Sequence, residues 1–162
     1  MNQLLKVLES QAKIRFQDCD PFNHLNNGNY INYFMNHRED VLIDNYDLNI
    51  YKKAQKEGVS WVSTSNQIAY FKPAFLMETV TIESQLIKFD DKNLLVEMRM
   101  YNENKTHLKS IIWCGFAHFN LIKQKREIHA NDLIQLFEKV NSPLKSKTFE
   151  ARLQELKLIV KN

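Results

Sequence analysis

Four successive β-type runs constrain the fold of this chain most. They span residues 59–72, 78–88, 93–102 and 107–121, and apolar residues alternate with their neighbours along most of them. One amphipathic helix is predicted ahead of them, over 29–45, because apolar residues recur there at three- and four-residue steps. A long helix followed by consecutive strands indicates the α+β class, with an antiparallel sheet packed on the helix.

Shorter segments complete the predicted order of elements. Residues 11–17 have the pattern of a strand, and 50–57 that of a short helix that Gly58 ends. Near the C-terminus, Asn131 and Thr148 are expected to cap two more helices. A chain of 162 residues with few glycines and prolines is expected to form one domain with one core.

The composition excludes several classes of function. The net charge of +3 is mild and the lysines are scattered, so no nucleic-acid partner is expected. No run reaches the ~18 apolar residues of a membrane span, and the N-terminus lacks the apolar region of a signal peptide. Because Cys19 and Cys114 cannot form a disulfide framework, we expect a reducing, cytoplasmic location and no membrane partner.

The chain also lacks the patterns of metal and phosphate sites. Its five histidines are dispersed, and none of them forms a spacing typical of metal ligands. Three glycines are too few for a glycine-rich phosphate loop. We therefore expect no metal and no cofactor.

The loop ahead of the long helix carries the densest chemistry. Within residues 14–34 it holds Asp18, Asp20, His24 and several amides. A helix N-terminus presents unbonded backbone N–H groups and the positive end of the helix dipole. A carboxylate beside such a preformed oxyanion site is what acyl transfer requires.

The residues alone leave two interpretations of the acids in this loop. Asp20 is either a general base or nucleophile, or a residue that caps the turn fixed by Pro21. Asp18 is either a structural hydrogen-bond acceptor at the strand end or, if the strand continues, a like-charge neighbour on the same side. Cys19 is a poor nucleophile, because acidic neighbours raise the pKa of a thiol.

The same stretch closely resembles the motif of hotdog-fold acyl-CoA thioesterases, the 4-hydroxybenzoyl-CoA thioesterase-like superfamily. In that family an aromatic residue, Asp-x-Asp, a short turn and often His-x-Asn-Asn precede a tyrosine at the start of the central helix. The matching residues here are Phe16, Asp18, Asp20, His24, Asn26, Asn27 and Tyr30. The resemblance covers roughly residues 11–125 and implies a long antiparallel sheet wrapped around one helix.

The resemblance also implies catalytic roles. Asp20 matches the catalytic aspartate, although the sequence does not separate a base from a nucleophile. The position of Asn27 matches the residue whose backbone N–H stabilises the oxyanion, and His24 is expected to support catalysis by ordering the loop or by hydrogen bonding the substrate. Glu39 is a second candidate catalyst, because some hotdog enzymes use a glutamate on the helix.

Further residues are expected to contact the substrate. Asn26, Gly28 and Tyr30 lie at the start of the helix, and Gly28 is a second candidate oxyanion donor. Lys88 and Lys92 flank a hairpin where the aryl-CoA branch of the family places basic residues, so CoA phosphates are expected there. The alternative for each lysine is an ordinary solvated side chain.

Other positions bear on packing and on the acyl pocket. Arg38 matches a family arginine for which we expect a structural ion pair. An apolar or aromatic acyl tail is suggested by residues that cannot be told from ordinary core: Trp61, Tyr70, Phe71, Met98, Trp113 and Phe116.

The sequence therefore predicts a thioesterase that hydrolyses acyl-CoA to a free acid and CoA. Residues 1–128 are expected to form the hotdog domain, and 129–162 a C-terminal helical extension packed on it. Because family members are dimers or tetramers with the active site between protomers, we expect a homodimer or homotetramer. Two alternatives stay open: a hotdog module that binds acyl thioesters without turnover, and another reaction on the same fold, such as hydration of an enoyl thioester.

Overall fold

The computed structural model describes residues 3–160 of the chain. Its strands are β1 (Val7–Lys13), β2 (Val59–Tyr70), β3 (Thr79–Phe89), β4 (Asn93–Asn102), β5 (Leu108–Asn120) and β6 (Lys125–Arg126). Its helices are α1 (Tyr30–Tyr46), α2 (Ile50–Glu57), α3 (Asn131–Val140) and α4 (Phe149–Val160). Two short 3-10 turns, Phe16–Asp18 and Asn27–Asn29, lie between β1 and α1.

The strands form one antiparallel sheet in the order β1-β3-β4-β5-β2, and β6 pairs with β5. The pairing of β2 with β5 is irregular between Ser63 and Ser65, beside Gly115. A Cβ at Gly115 would lie 2.6 Å from the Ser65 hydroxyl oxygen, so a larger residue there would force the Ser65 side chain to move. A strongly bent sheet around one long helix confirms the α+β class and the hotdog arrangement that the resemblance implies.

The concave face of the sheet packs on α1. Leu94, Val96, Met98 and Met100 alternate along β4 and join the core that includes Phe34 of α1. Helix α3 adds further apolar side chains to the same core. The predicted alternation of β4 is therefore confirmed, with the even-numbered side chains on the helix side.

The convex face of the sheet packs on α4. Ile111 and Trp113 of β5 form a second apolar cluster with Phe149 and Leu156 of α4. Trp113 and Phe149 meet edge to face, with ring centroids 5.6 Å apart. Because Trp113 lies under α4, it does not line the acyl pocket proposed for it from the sequence.

A buried ionic cluster also attaches α4 to the convex face. Glu97 of β4 is fully buried and accepts hydrogen bonds from Trp113 Nε1 at 2.7 Å and from Arg152 Nε at 2.9 Å. Its carboxylate also pairs with Arg99, which in turn bonds Glu83 at 2.9 Å. The carboxylate of Glu97 thus has charged or N–H donors on both oxygens, and one of the charged donors belongs to α4.

We expect Glu97→Gln to destabilise the protein by about 3–5 kcal/mol, because it removes the fully buried carboxylate that Arg99 and Arg152 share and leaves each with one less buried counterion. Urea unfolding measures the loss. The matched control is Glu9→Gln, which removes an exposed ion pair with Lys105 and should cost less than about 1 kcal/mol. Equal losses in the two variants would contradict the structural role of the cluster.

A buried histidine joins α1 to two strands. His37 lies between Ser10 of β1, which contacts its Nδ1, and Ser84 of β3, whose hydroxyl oxygen is 3.1 Å from its Nε2. Burial lowers the pKa of His37 from 6.5 to about 4. The ring is therefore neutral in the folded protein at neutral pH.

His37 makes stability depend on pH with a definite sign. Above pH 6.5 the ring is neutral in both states. Between pH 6.5 and about 4 the unfolded chain binds a proton that the folded protein does not bind. The free energy of unfolding therefore decreases as the pH is lowered, by about 3 kcal/mol in total. The difference in unfolding free energy between wild type and His37→Gln should shrink over this range, and the exposed His107→Gln should show no such trend. A parallel pH dependence in wild type and His37→Gln would be inconsistent with a buried neutral His37.

The first strand differs from its prediction over 11–17. β1 begins at Val7 and ends at Lys13, because its partner β3 begins at Thr79, which pairs with Lys13. Beyond that point the chain turns, and Phe16 is 79% exposed. The strand prediction over 11–17 is therefore confirmed for 11–13 and wrong for 14–17, and of the two residues predicted on one face, Ile14 is fully buried in the core and Phe16 is not.

Three smaller predictions have mixed outcomes. Gly58 ends α2 with a φ of 68°, and the Thr148 hydroxyl accepts from the Ala151 N–H at 3.1 Å, as expected. Asn131 is the first helical residue of α3 and Ala130 is its cap, so the predicted cap was one residue too late. The expected ion pair of Arg38 is wrong: its guanidinium stacks 4.2 Å over the Phe116 ring.

Every helix among residues 3–160 is too short or too polar to span a bilayer.

Candidate active site

Asp20 lies in a hydrogen-bonded loop between β1 and α1. Its Oδ1 accepts from the backbone N–H groups of Phe22 at 2.9 Å and of His24 at 3.1 Å. The Asp20 N–H donates to the His24 carbonyl at 2.8 Å, and Asn23 takes a left-handed φ of 61° to close the turn. The backbone therefore fixes the Asp20 carboxyl through one of its two oxygens.

The loop is held against the segment that leads into β3. Leu25 donates its N–H to the Ala74 carbonyl at 2.8 Å, and Leu76 donates to the Asn23 carbonyl at 2.9 Å. These two backbone bonds place the loop at the end of the sheet where β2 finishes and β3 starts.

A cleft of about 240 Å³ opens at this end of the sheet. It is lined by the Asp20 loop, by the start of α1 and by the segment that follows β2: Asp20, His24, Leu25, Asn27, Tyr30, Tyr70, Phe71, Lys72 and Pro73. The structure thus brings together Asp20, His24, Asn27 and Tyr30 as the sequence predicted.

Two groups of this cleft have unused hydrogen-bonding capacity. Within residues 3–160, neither Asp20 Oδ2 nor the Asn27 N–H has a hydrogen-bond partner. The Gly28 N–H, by contrast, donates to Asn26 Oδ1 at 2.9 Å. Of the two amides considered for the oxyanion site, Asn27 has the free one, and Asn26 supports the loop by capping the turn.

Asp18 has a structural role. Its Oδ2 accepts from the Tyr33 hydroxyl at 2.6 Å, and its carbonyl accepts from Asn26 N–H at 2.9 Å. Burial and the bond to Asp18 raise the pKa of Tyr33 to about 12, so Tyr33 stays protonated and donates. The interpretation of Asp18 as a structural acceptor is confirmed.

Tyr30 and Tyr70 form the apolar wall of the cleft. Their rings meet edge to face with centroids 5.0 Å apart. The buried Tyr30 hydroxyl accepts from the Ala74 N–H at 3.4 Å, and burial raises its pKa. Tyr70 donates to the Asn27 carbonyl at 3.0 Å. Sequence reasoning placed Tyr70 in an aromatic pocket but missed this hydrogen bond, for which no local pattern exists.

The imidazole of His24 contacts the cleft without holding Asp20. Its ring packs edge to face on Phe75 with centroids 5.1 Å apart, and no hydrogen bond connects the ring to the described part of the chain. The backbone of His24, rather than its side chain, orders Asp20.

Lys88 and Lys92 lie far from the cleft of their own protomer. Nine residues separate Thr79, at the cleft end of β3, from Lys88, which corresponds to ~30 Å along a strand. Lys92 lies in the turn after β3, at the same remote end. Lys72 is the cation that the structure places at the cleft, and the sequence did not single it out.

Cys19 is unsuited to nucleophilic attack. Desolvation and the carboxylates of Asp18 and Asp20 raise the pKa of its thiol, so the thiolate is scarce at neutral pH. Its Sγ lies 3.3 Å from the Arg15 carbonyl, to which the thiol donates.

A comparison with protein-family models shows the family to which the chain belongs. The profile of the thioesterase-like superfamily matches residues 14–151, which include the whole cleft. No curated protein matches the chain.

Solved structures show the same fold. YbaW, a probable thioesterase of Escherichia coli, is 22% identical, with 83% of this chain and 99% of that chain covered and a TM-score of 0.70. A DHNA-CoA thioesterase of Staphylococcus aureus is 18% identical, with 83% and 90% covered and a TM-score of 0.76. A hypothetical protein of Staphylococcus aureus, solved in complex with CoA, is 15% identical, with 93% and 95% covered and a TM-score of 0.76. With the family match, these findings show that the chain belongs to the thioesterase-like superfamily and is a thioester hydrolase of the hotdog fold.

Proposed function

We propose that this protein hydrolyses an acyl-CoA thioester to a free acid and CoA, with Asp20 as the catalytic residue. One observation carries the proposal: among residues 3–160, one Asp20 carboxylate oxygen and the Asn27 N–H have no hydrogen-bond partner, and both residues line the same cleft. A similar fold solved in complex with CoA supports CoA as the thiol part of the substrate.

Two mechanisms use the same groups. As a base, Asp20 takes a proton from the water that attacks the thioester carbonyl, and the intermediate then breaks its C–S bond while the departing sulfur takes the proton. As a nucleophile, Asp20 attacks the carbonyl itself, CoA leaves, and water hydrolyses the mixed anhydride. In both mechanisms the Asn27 N–H donates to the thioester carbonyl oxygen, which becomes negative in the intermediate. The positive end of the α1 dipole, close to Asn27, further stabilises this negative charge. Mass spectrometry of a rapidly quenched reaction separates the mechanisms, because only the nucleophile carries an acyl adduct.

Asp20→Asn should lower kcat at least ~10²-fold, because the amide keeps the shape of the side chain but is neither base nor anionic nucleophile. KM should change much less. The readout is thiol release from a panel of short, long and aromatic acyl-CoAs, which also identifies the acyl group.

Asp18→Asn is the matched control for this experiment. It should retain most of kcat and lose some stability, because it weakens the bond to Tyr33. Similar kcat values for the two variants would overturn the role of Asp20 and make Glu39 the next residue to test. A wild-type protein that binds acyl-CoA without releasing thiol would support the non-catalytic module instead.

His24→Ala tests the imidazole alone, because the backbone bonds to Asp20 remain. If the ring only supports the loop, kcat should fall about ten- to a hundredfold. If it polarises the substrate, the fall should approach ~10²–10⁴. Unchanged steady-state kinetics would assign the ring to packing against Phe75.

The exposed edge strand β2 supports a homodimer. Its stretch 62–67 is solvent-exposed throughout, and an uncovered strand edge presents unpaired backbone groups to another strand. A two-fold antiparallel pairing of two β2 strands brings the Tyr70 end of one protomer beside the Val59 end of the other. The Val59 end adjoins the turn that holds Lys92, whose carbonyl bonds His118 N–H at 2.7 Å. The second copy would therefore supply Lys92, and Lys88 near it, for the CoA phosphates.

Light scattering on a sizing column should give a mass of two or four times 19.2 kDa. Asn66→Lys, in the middle of the exposed stretch, places two like charges across the two-fold axis and should shift the protein to monomer and lower activity. The exposed Lys88→Gln should leave the mass unchanged and raise KM. A monomeric, fully active wild type would refute the shared site.

A further inference from the structure

A second cavity lies on the concave side of the sheet, away from the Asp20 cleft. It encloses about 50 Å³ between the second half of α1, strands β3 and β4, and α3. None of its lining residues lines the Asp20 cleft. Along α1, the eight residues from Tyr30 of the cleft to Arg38 of the cavity correspond to about 12 Å.

Arg38 is a buried cation without a counterion. Its side chain is part of the cavity wall, only 6% of the residue is exposed, and one guanidinium face stacks on Phe116. Among residues 3–160 it has no salt bridge and no hydrogen bond; Glu39 and Cys114 influence it only through space. Burial lowers its pKa to about 10, so it remains charged at neutral pH. No acceptor among residues 3–160 takes any of its five N–H donors, so these nearly buried donors remain available to water or to a ligand that enters the cavity.

The rest of the cavity wall complements an anion with an apolar tail. Lys6, exposed at the rim, is the other charged residue, and no aspartate or glutamate lines the cavity. Ser84 offers a hydroxyl close to the cavity, whereas the walls beyond it are apolar, from Leu94, Leu136 and Phe137.

We propose that this cavity binds a small aliphatic monocarboxylate, with the carboxylate on the Arg38 guanidinium and the tail against Leu94, Leu136 and Phe137. A guanidinium binds a carboxylate through two parallel hydrogen bonds, which matches one buried cation to one monoanion. The inference goes beyond the proposed function and does not depend on it, because the two sites share no residue.

The size of the cavity limits the chain length of the ligand. A water molecule needs about 10–15 Å³ of such volume, so the enclosed space holds a carboxylate and the first carbons of its tail. Acids of about four to six carbons fit if their last carbons extend toward the rim at Lys6. Longer chains require α3 to move.

Binding is tested with sodium hexanoate on the full chain, with hexanol and sodium chloride as separate controls. Calorimetry should show hexanoate binding, and the melting temperature should rise with hexanoate but not with either control. No hexanoate-specific shift in the wild type would overturn the proposal.

Arg38→Met tests the anchor, because methionine keeps contact with Phe116 and removes the charge. Hexanoate affinity should fall at least about tenfold, and the ligand-free variant should melt at or above the wild-type temperature, since it loses an unpaired buried charge. Unchanged hexanoate affinity, or a ligand-free variant that melts well below wild type, would show instead that Arg38 serves packing alone.

Leu136→Trp keeps the test decisive whatever Arg38→Met does to folding. It fills the cavity from α3 while leaving the arginine in place, and it should abolish hexanoate binding. Ile134→Trp, on the same helix but outside the cavity wall, should bind as wild type does. Equal hexanoate binding by both tryptophan variants would place the ligand elsewhere and refute the site.

Discussion

The central strands of this protein are buried on both faces, and this constraint organises the rest of the fold. A sheet with two apolar faces needs a cover on each side. Here α1, with α3, covers the concave face and α4 covers the convex face. The bulge beside Gly115 bends β2, and such a bend is needed because the sheet wraps around a helix.

Enclosing α1 in the sheet also decides where chemistry can occur. The helix body is surrounded by core, so its N-terminal end, at the rim of the sheet, is where its free N–H groups can meet a substrate. The loop that leads into it fixes Asp20 through backbone bonds from Phe22 and His24. Within the described residues this leaves one carboxylate oxygen available in the cleft that Asn27 also lines. The proposed site therefore depends on backbone geometry more than on a chain of side-chain hydrogen bonds.

Three features of the molecule have polar or charged groups left unmatched within the described chain: the Asp20 cleft, the β2 edge and the Arg38 cavity. Elsewhere, buried charges such as Glu97 have several partners. His118 Nε2 and Asn141 Oδ1 are also buried without a partner among residues 3–160, so an unmatched group indicates a binding surface only where it lies at a cleft, a cavity or a strand edge that a substrate, a second protomer or a small anion can reach.

The sequence by itself determined the features that depend on local periodicity and capping. The alternation of Leu94 and Val96 along one run, and of Ile111 against Ile112 along another, predicted which side chains share a face. Gly58 and Thr148 marked a helix end and a helix start, because these signals act over a few residues. The motif around Asp20 likewise predicted the residues that meet in the cleft.

Only the tertiary structure decided what depends on distant partners. The length of β1 follows from where β3 begins, and the stacking of Arg38 on Phe116 follows from the packing of α1 against β5. The remoteness of Lys88 from its own cleft follows from the length of β3. Each of these depends on groups brought together by the packing of the sheet around α1, and a sequence pattern cannot report which groups will find a partner across that distance.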